Sequence, residues 1–282
     1  MALANYQLQF GSFIFGGANS TTQVLEIDGL EGLPELRTQD DNRGYNDGMF
    51  SGRDFYSGRN ITITMLTVGG NGNSAQQNFR LVQNAMLPQQ QGTTPLYFQL
   101  SSTDTQKVIN GRVRARQTIV DPNYTYGYVK SQYTIFCPDP RYYNSTYTTT
   151  SLLPSVALGR TYNRTYNIEY GGGSAGATVA NTGNVATYPL ITITGPITNP
   201  TISNQSTGQY ITVNTTLLVT DTLVIDLYNK TITLNGSPAR NLLAGNSQWF
   251  GCDPGNTVIS FTGSGTTVGT TVATITYSPA FV

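Results

Sequence analysis

The chain has no histidine. That absence removes the usual general base at neutral pH and excludes any hydrolytic triad of the Ser-His kind. Cysteine is scarce: Cys137 and Cys252 lie far apart and give neither a disulfide framework nor a metal-binding spacing. Two half-buried thiols in a protein folded in a reducing cytoplasm is the expectation. Charge is also scarce, at 11% of residues against roughly 25% in ordinary soluble domains. The 15 basic and 15 acidic residues cancel, which argues against a generic nucleic-acid binder and suits a subunit that associates with copies of itself. No run approaches the ~20 apolar residues of a membrane-spanning helix, so membrane insertion is not expected. Met1 to Phe15 lacks a basic leader and a continuous apolar core, so a signal peptide is not expected either.

Thr, Asn, Ser, Gly and Gln fill the gap left by charge, and 18 tyrosines dominate the aromatics. Tyrosine suits half-buried strands and interfaces, because its ring packs while its hydroxyl finds a partner. The charge is unevenly spread. Residues 1–141 hold 11 of the 15 basic and 11 of the 15 acidic residues, and the remainder is Thr-rich. That shift places a domain boundary within 142–154, giving expected domains 1–145 and 146–282.

The first part reads as strands with one helix. Asn5–Phe15 alternates, Gln23–Ile27 is short, and Gly58–Met65 has a clear period of two; strands are also expected at Leu96–Leu100, Lys107–Ile119 and Tyr124–Phe136. Asp121-Pro122-Asn123 is a turn between the last two, and Asp139-Pro140-Arg141 is expected to end the final strand of this part. The helix is expected over Ser74–Leu87, capped by Ser74, with Ala75, Phe79, Val82 and Met86 on its buried face. A helix flanking a β-sandwich follows. The second part has only β signals, at Arg164–Tyr170, Tyr188–Thr194, Gln209–Val219, Thr222–Leu227, Thr231–Leu234, Thr257–Phe261 and Thr267–Tyr277. Asn235-Gly236 is hairpin punctuation, and short strands at regular spacing imply a sandwich or jelly roll.

Arg37–Gly58 is rich in Asp, Asn and Gly and reads as poor in apolar residues. Arg37, Arg43, Arg53 and Arg59 alternate there with Asp40, Asp41, Asp47 and Asp54. The segment is either a solvated loop or a hairpin that straps onto a neighbouring subunit. Mixed signs without net charge favour the second, since a self-complementary surface needs both. Arg112, Arg114 and Arg116 are expected on one strand face, with Val113 and Ala115 on the other. They are either a basic stripe that touches a nucleic-acid backbone, or pair with carboxylates such as Asp40, Asp41 and Asp47 of another copy. Pairing is favoured, because interfacial charges set register. Trp249, with Tyr210 and the polar Asn246, Gln248 and Asp253, is either a core plug or a candidate glycan or partner contact; a lone Trp in a β-sandwich is more often core. Asp221 and Asp226 are expected on opposite faces, so they make no catalytic pair. Gly171–Gly173 and Gly69–Gly72 lack the Lys-Ser/Thr of a phosphate loop. No enzyme activity, cofactor or metal is expected.

The order of short signatures resembles the distal tail proteins of siphophages, the Dit-like phage tail family. It runs through Asp28-Gly29-Leu30, Leu33-Pro34 with Arg37, Asp47-Gly48, Gly58-Arg59-Asn60-Ile61 and Asp139-Pro140. It continues through Asn181 to Pro189, Gly195-Pro196, Asn199-Pro200, Leu234-Asn235-Gly236, Trp249 and Pro254-Gly255-Asn256. Phe250-Gly251-Cys252-Asp253 departs from it, lacking the aliphatic residue expected before Pro-Gly-Asn. The resemblance implies a mainly β structural virion protein. An N-terminal tail-tube-like sandwich or barrel with one flanking helix would form a homohexameric ring at the tail tip, with a galectin-like sandwich outside it. The implied partners are the major tail tube protein, the hub or tail-associated protein, the tape measure, and receptor-binding or side-fibre proteins. Genomic DNA would be transient cargo through the lumen, and assembly would occur in the host cytoplasm. The rival from another class is a carbohydrate-binding adhesin; a glycosidase would need a carboxylate pair that the sequence lacks.

Overall fold

The computed structural model describes residues 3–18, 20–69, 72–155, 176–267 and 270–282. The expected strand Arg164–Tyr170 and the Gly171–Gly173 run lie outside them. The chain divides into two units: Met1–Ser145 together with Phe281–Val282, and Thr146–Ala280.

In the first unit, a sheet runs through strands Phe13–Gly16, Gln7–Phe10, Thr94–Gln99, Lys107–Ile119, Tyr128–Cys137, Arg59–Val68 and Thr22–Asp28, all pairs antiparallel. The stretch Asn5–Phe15 resolves into two strands because Gly11 turns the chain with a positive φ of 59°. The pivot is Lys107–Ile119. Its first five residues pair with Thr94–Gln99, and from Arg112 onward it pairs with Tyr128–Cys137. Gly111 sits at that hand-over. A Cβ there would lie 2.5 Å from Ile135 Cγ2 and 2.8 Å from Cys137 Sγ, so only glycine lets the strands approach this closely.

Period-two alternation drives this sheet. Ile61, Ile63 and Met65 point to one side and meet Val129, Tyr133 and Ile135, all fully buried. Each such side chain contributes about 1.5–3 kcal/mol of burial. The helix Gly72–Ala85 covers this core with Ala75, Phe79 and Val82, and Met86 follows just beyond its end. It starts two residues before the expected Ser74, so Ser74 lies inside the first turn. Asp121 caps a 3-10 turn at Pro122–Tyr126, accepting from the Asn123 amide, so the next strand begins at Tyr128 rather than Tyr124. Asp139-Pro140 does not end the strands of this unit. The Asp139 carboxylate accepts from the Arg141 amide and the Tyr143 hydroxyl, and the turn returns the chain to pair Tyr142–Asn144 with Lys107–Val108.

The second unit has two antiparallel sheets. One runs through Thr148–Leu152, Val272–Tyr277, Leu190–Thr194, Thr222–Asp226, Thr231–Leu234 and Ser237–Pro238. The other runs through Ala177–Asn181, Gly255–Ser264, Ile197–Asn204 and Tyr210–Thr212, with Thr216–Leu217 also paired to Ile197–Asn204. Ile191, Ile193, Leu223, Ile225 and Ile275 from the first share one core with Val179, Ile202, Ile211, Ile259 and Phe261 from the second. Several boundaries differ from expectation. Thr148–Leu152 reads as a linker but is a strand. Gln209–Val219 is split between Tyr210–Thr212 and Thr216–Leu217. Ile197–Asn204 is masked in sequence by Pro196 and Pro200, and Asn199 adopts a positive φ at a register shift. Asn235-Gly236 does form the hairpin turn, with both residues at positive φ. Cross-strand hydroxyl pairs stitch the second sheet: Thr201 to Thr212 at 2.8 Å and Thr198 to Thr216 at 3.1 Å.

Both cysteines are free and fully buried, rather than half-buried. Burial pushes each thiol up to about 12, which leaves almost no nucleophilic thiolate near neutrality. Native protein at pH 8 is therefore expected to be inert to a disulfide-exchange reagent, with both thiols reacting after denaturation. A colorimetric thiol titration checks this.

Candidate assembly surface

The segment between Leu33 and Ser57 forms a projecting hairpin. Leu36–Arg37 pairs with Phe55–Tyr56, and Asp41–Asn42 pairs with Met49–Phe50. The Ser57 amide donates to Glu35 O at the root, and the Gly52 amide donates to Asp40 Oδ1 along the stem. Every residue from Glu35 to Tyr56 is exposed. This includes Tyr45, Met49 and Phe50, the last 61% exposed. The segment is thus richer in apolar side chains than its sequence reading allowed. Its arginines lie over these rings: Arg37 and Arg53 stand 5.6 and 5.4 Å from the Phe55 centroid, and Arg43 stands 5.0 Å from that of Phe50. Asp47 lies near the exposed tip. A two-stranded hairpin with no core of its own is marginal in water, and its exposed rings add apolar surface that burial against another surface would stabilise.

Arg59 does not belong to this surface. It is only 2% exposed, because the strand it opens turns it inward beneath the hairpin root. Its Nη1 donates to the carbonyls of Gly29 (3.0 Å), Leu30 and Gly32 (2.8 Å), and its Nε donates to Pro140 O at 3.0 Å. Its guanidinium lies 5.7 Å from the Tyr142 ring centroid. Burial pulls its pKa below the ordinary arginine value, yet a guanidinium stays protonated at any physiological pH. Residue 29 is glycine because its φ is positive and a Cβ there would collide with the Asn60 carbonyl.

The three arginines of Lys107–Ile119 do not share one face. A β-bulge between Val113 and Ala115 inserts Arg114 as an extra residue and shifts the alternation. Arg112 stands opposite Phe136, Arg114 lies 4.7 Å from the Phe136 ring, and Arg116 stands opposite Tyr133 on the other face. Burial raises the Tyr133 pKa, and the Arg116 charge opposes that shift.

In the second unit Tyr210 and Trp249 come near one another. The Gln248 amide donates to Tyr210 O at 2.8 Å, and Asn246 Nδ2 donates to the Tyr210 hydroxyl at 2.7 Å. Trp249 is half-buried against the core, with the Arg240 guanidinium 6.0 Å from its ring. Asp221 and Asp226 cap turns. Asp221 accepts from the Leu218 amide and Asn235 Nδ2, and Asp226 from the amides of Tyr228 and Asn229. Among the described residues no three His, Cys, Asp or Glu side chains are placed to hold a metal.

The described residues thus form two mainly β units, the first with one flanking helix. Residues 182–281 match the family profile described as siphovirus-type tail component, C-terminal domain. The fold is similar to the Dit protein of phage SPP1, titled a paradigm of the hub adsorption apparatus in phages infecting Gram-positive bacteria. That match has 16% identity and a TM-score of 0.68 and covers 98% of this chain and 99% of that one. A chain of the phage P2 baseplate in its activated conformation with calcium is also similar, at 12% identity, TM-score 0.52 and 97% coverage of each chain. The strontium form matches at 13% identity and TM-score 0.51, over 98% of this chain and 99% of that chain. No curated protein matches in sequence. The resemblance to distal tail proteins therefore holds in fold along the chain, and by family profile over residues 182–281.

Two outcomes are expected. Arg59→Ala strips four main-chain carbonyls of their charged donor and should lower unfolding free energy by at least about 3 kcal/mol; Arg53→Ala, on the exposed hairpin, should stay within about 0.5 kcal/mol. Denaturant titration of both variants checks the contrast. The two hydrogen bonds to Asp221 hold its carboxyl below the usual carboxylate range. Its stabilising effect is therefore complete at neutral pH and lost as pH falls through the depressed folded value. The difference in thermal midpoint between wild type and Asp221→Asn should hold steady down to about pH 5 and shrink below about pH 4.

Proposed function

We propose that this protein is a structural subunit of a phage tail tip. In this reading residues 1–145 form a tail-tube-like domain that builds the distal ring, joining the tube to the hub, and residues 146–282 form a galectin-like sandwich outside it. The family profile and the fold support a tail role. The hairpin Leu36–Tyr56 is the observation that carries the ring. It exposes Tyr45, Met49, Phe50 and Phe55 with three arginines and four aspartates interspersed, so another copy of the same surface supplies both burial and opposite charge. Three or four such side chains buried per contact would contribute about 1.5–3 kcal/mol each.

A head-to-tail contact of this kind closes into a ring when the rotation between subunits divides the circle, and six-fold closure is the proposed form. Arg37, Arg43, Asp47 and Arg53 would act at that contact. Arg112, Arg114 and Arg116, divided between two faces by the bulge, would meet neighbours above or beside them. One ring face would stack on the major tail tube protein and the other on the hub, with the tape measure and then DNA passing through the lumen. The outer domain would carry receptor-binding or side-fibre proteins, and the work is geometric rather than catalytic. The second reading, a carbohydrate-binding adhesin, is favoured by the Tyr210, Asn246 and Trp249 cluster alone, and glycan-array binding by a monomer would support it.

Size-exclusion chromatography with light scattering, followed by negative-stain imaging, tests the ring. Wild type should give closed six-fold rings at micromolar concentration. Phe50→Ser combined with Phe55→Ser should leave the far-UV circular dichroism spectrum unchanged while shifting the protein to monomer. A wild-type chain that stays monomeric at every concentration and is missing from assembled particles would overturn the proposal.

A further inference from the structure

The strand Tyr142–Asn144 is short: it pairs with the first unit at Lys107 with Asn144 and Val108 with Tyr143, beside a Ser145 amide donating to Gln106 O at 2.9 Å and a Thr105 hydroxyl donating to Asn144 Oδ1 at 3.1 Å. Its other edge is taken by the short strand that ends in Phe281, a residue that belongs to the first unit although it follows the second in sequence. The Phe281 ring stacks on Tyr142, with centroids 5.6 Å apart and planes 8° from parallel. Tyr142 in turn meets Phe98 edge to face at 5.7 Å. Lys107 Nζ lies 5.0 Å from the Phe281 ring centroid and 5.4 Å from that of Tyr142, and Arg59 approaches the Tyr142 ring as well. One aromatic column, with two cations beside it, thus runs from the Arg59 clamp to residue 281.

We propose that Phe281 is a latch that closes the first unit, which therefore completes its fold only after the second unit has been made. A three-residue strand paired along one edge gains stability from a partner on the other. The stack and the added strand supply what it lacks, since aromatic pairs and cations near ring faces are attractive beyond their buried area. Residues 1–145 leave the ribosome first but lack this closing piece until residue 281 follows. The latch also delays the root of the projecting hairpin, because Arg59 holds residues 29–32 and touches Tyr142. A chain whose second unit is unfinished would then present an unsettled hairpin and join no ring. That last step rests on the ring reading, while the latch itself does not.

Hydrogen exchange with mass spectrometry on the full chain separates the two. In Phe281→Ala, amides of Tyr142–Asn144 and of Lys107–Gly111 should exchange roughly ten- to thirtyfold faster than in wild type. Amides of Thr222–Asp226 in the second unit should be unchanged, and Phe281→Tyr should restore the wild-type pattern. No acceleration in Phe281→Ala, or equal acceleration in both units, overturns the latch. Imaging in parallel should show fewer rings for Phe281→Ala than for wild type at equal concentration. If wild type itself makes no ring, the ring reading falls while the exchange data still decide the latch.

Discussion

A buried cation dictates much of the first unit. Arg59 is held by main-chain carbonyls from the 29–32 loop and from Pro140, segments far apart in sequence. Removing a guanidinium from water is costly, and the carbonyls on Nη1 and Nε offset part of that cost, while Nη2 is buried with no hydrogen-bond partner among the described residues. The arrangement therefore tolerates little drift in any of its partners. The 29–32 loop enters the projecting hairpin, Pro140 turns the chain toward Tyr142–Asn144, and Tyr142 carries Phe281. One side chain thereby fixes the hairpin root and the closing strand together. The sign of its charge matters less than its shape, because a planar fork of donors reaches several carbonyls where an ammonium would reach fewer.

Much of this architecture is legible from periodicity. Ile61, Ile63 and Met65 alternate strictly, and the spacing of Ala75, Phe79, Val82 and Met86 is helical; both patterns are local, so they survive reading one residue at a time. Lys107–Ile119 was legible in extent but not in facing. A bulge at Arg114 adds one residue, and nothing in alternating Arg and apolar residues announces it. Thr148–Leu152 looked like linker because a run of threonines carries no apolar alternation, while its pairing with Val272–Tyr277 is set by residues over a hundred positions away.

The candidate surface was legible in charge but not in apolarity. Reading Arg37–Gly58 for Asp, Asn and Gly hid Tyr45, Met49, Phe50, Phe55 and Tyr56, whose exposure is the informative property. Large rings in a segment with turn residues at every few positions, and too short to fold over them, are a usable signal of a surface that wants covering. Arg59 adjoins this segment in sequence, but it is buried and opens the strand that follows. The first residue of a long, strictly alternating strand sits at a boundary, and its facing follows the strand rather than the loop before it. Phe281 left no trace at all, since its partners are set by tertiary pairing.

The threonine pairs of the second unit carry a different implication. Thr201 with Thr212 and Thr198 with Thr216 tie neighbouring strands through neutral hydroxyls. Only four basic and four acidic residues lie between 146 and 280. Dissolved ions screen exposed charges, most fully those farther apart than the Debye length of ~10 Å at 0.1 M, but they leave hydroxyl-to-hydroxyl contacts untouched. Cohesion in this half should therefore be nearly indifferent to brine or dilute buffer. Whatever sensitivity to ionic strength the whole molecule displays then originates in its charge-bearing front.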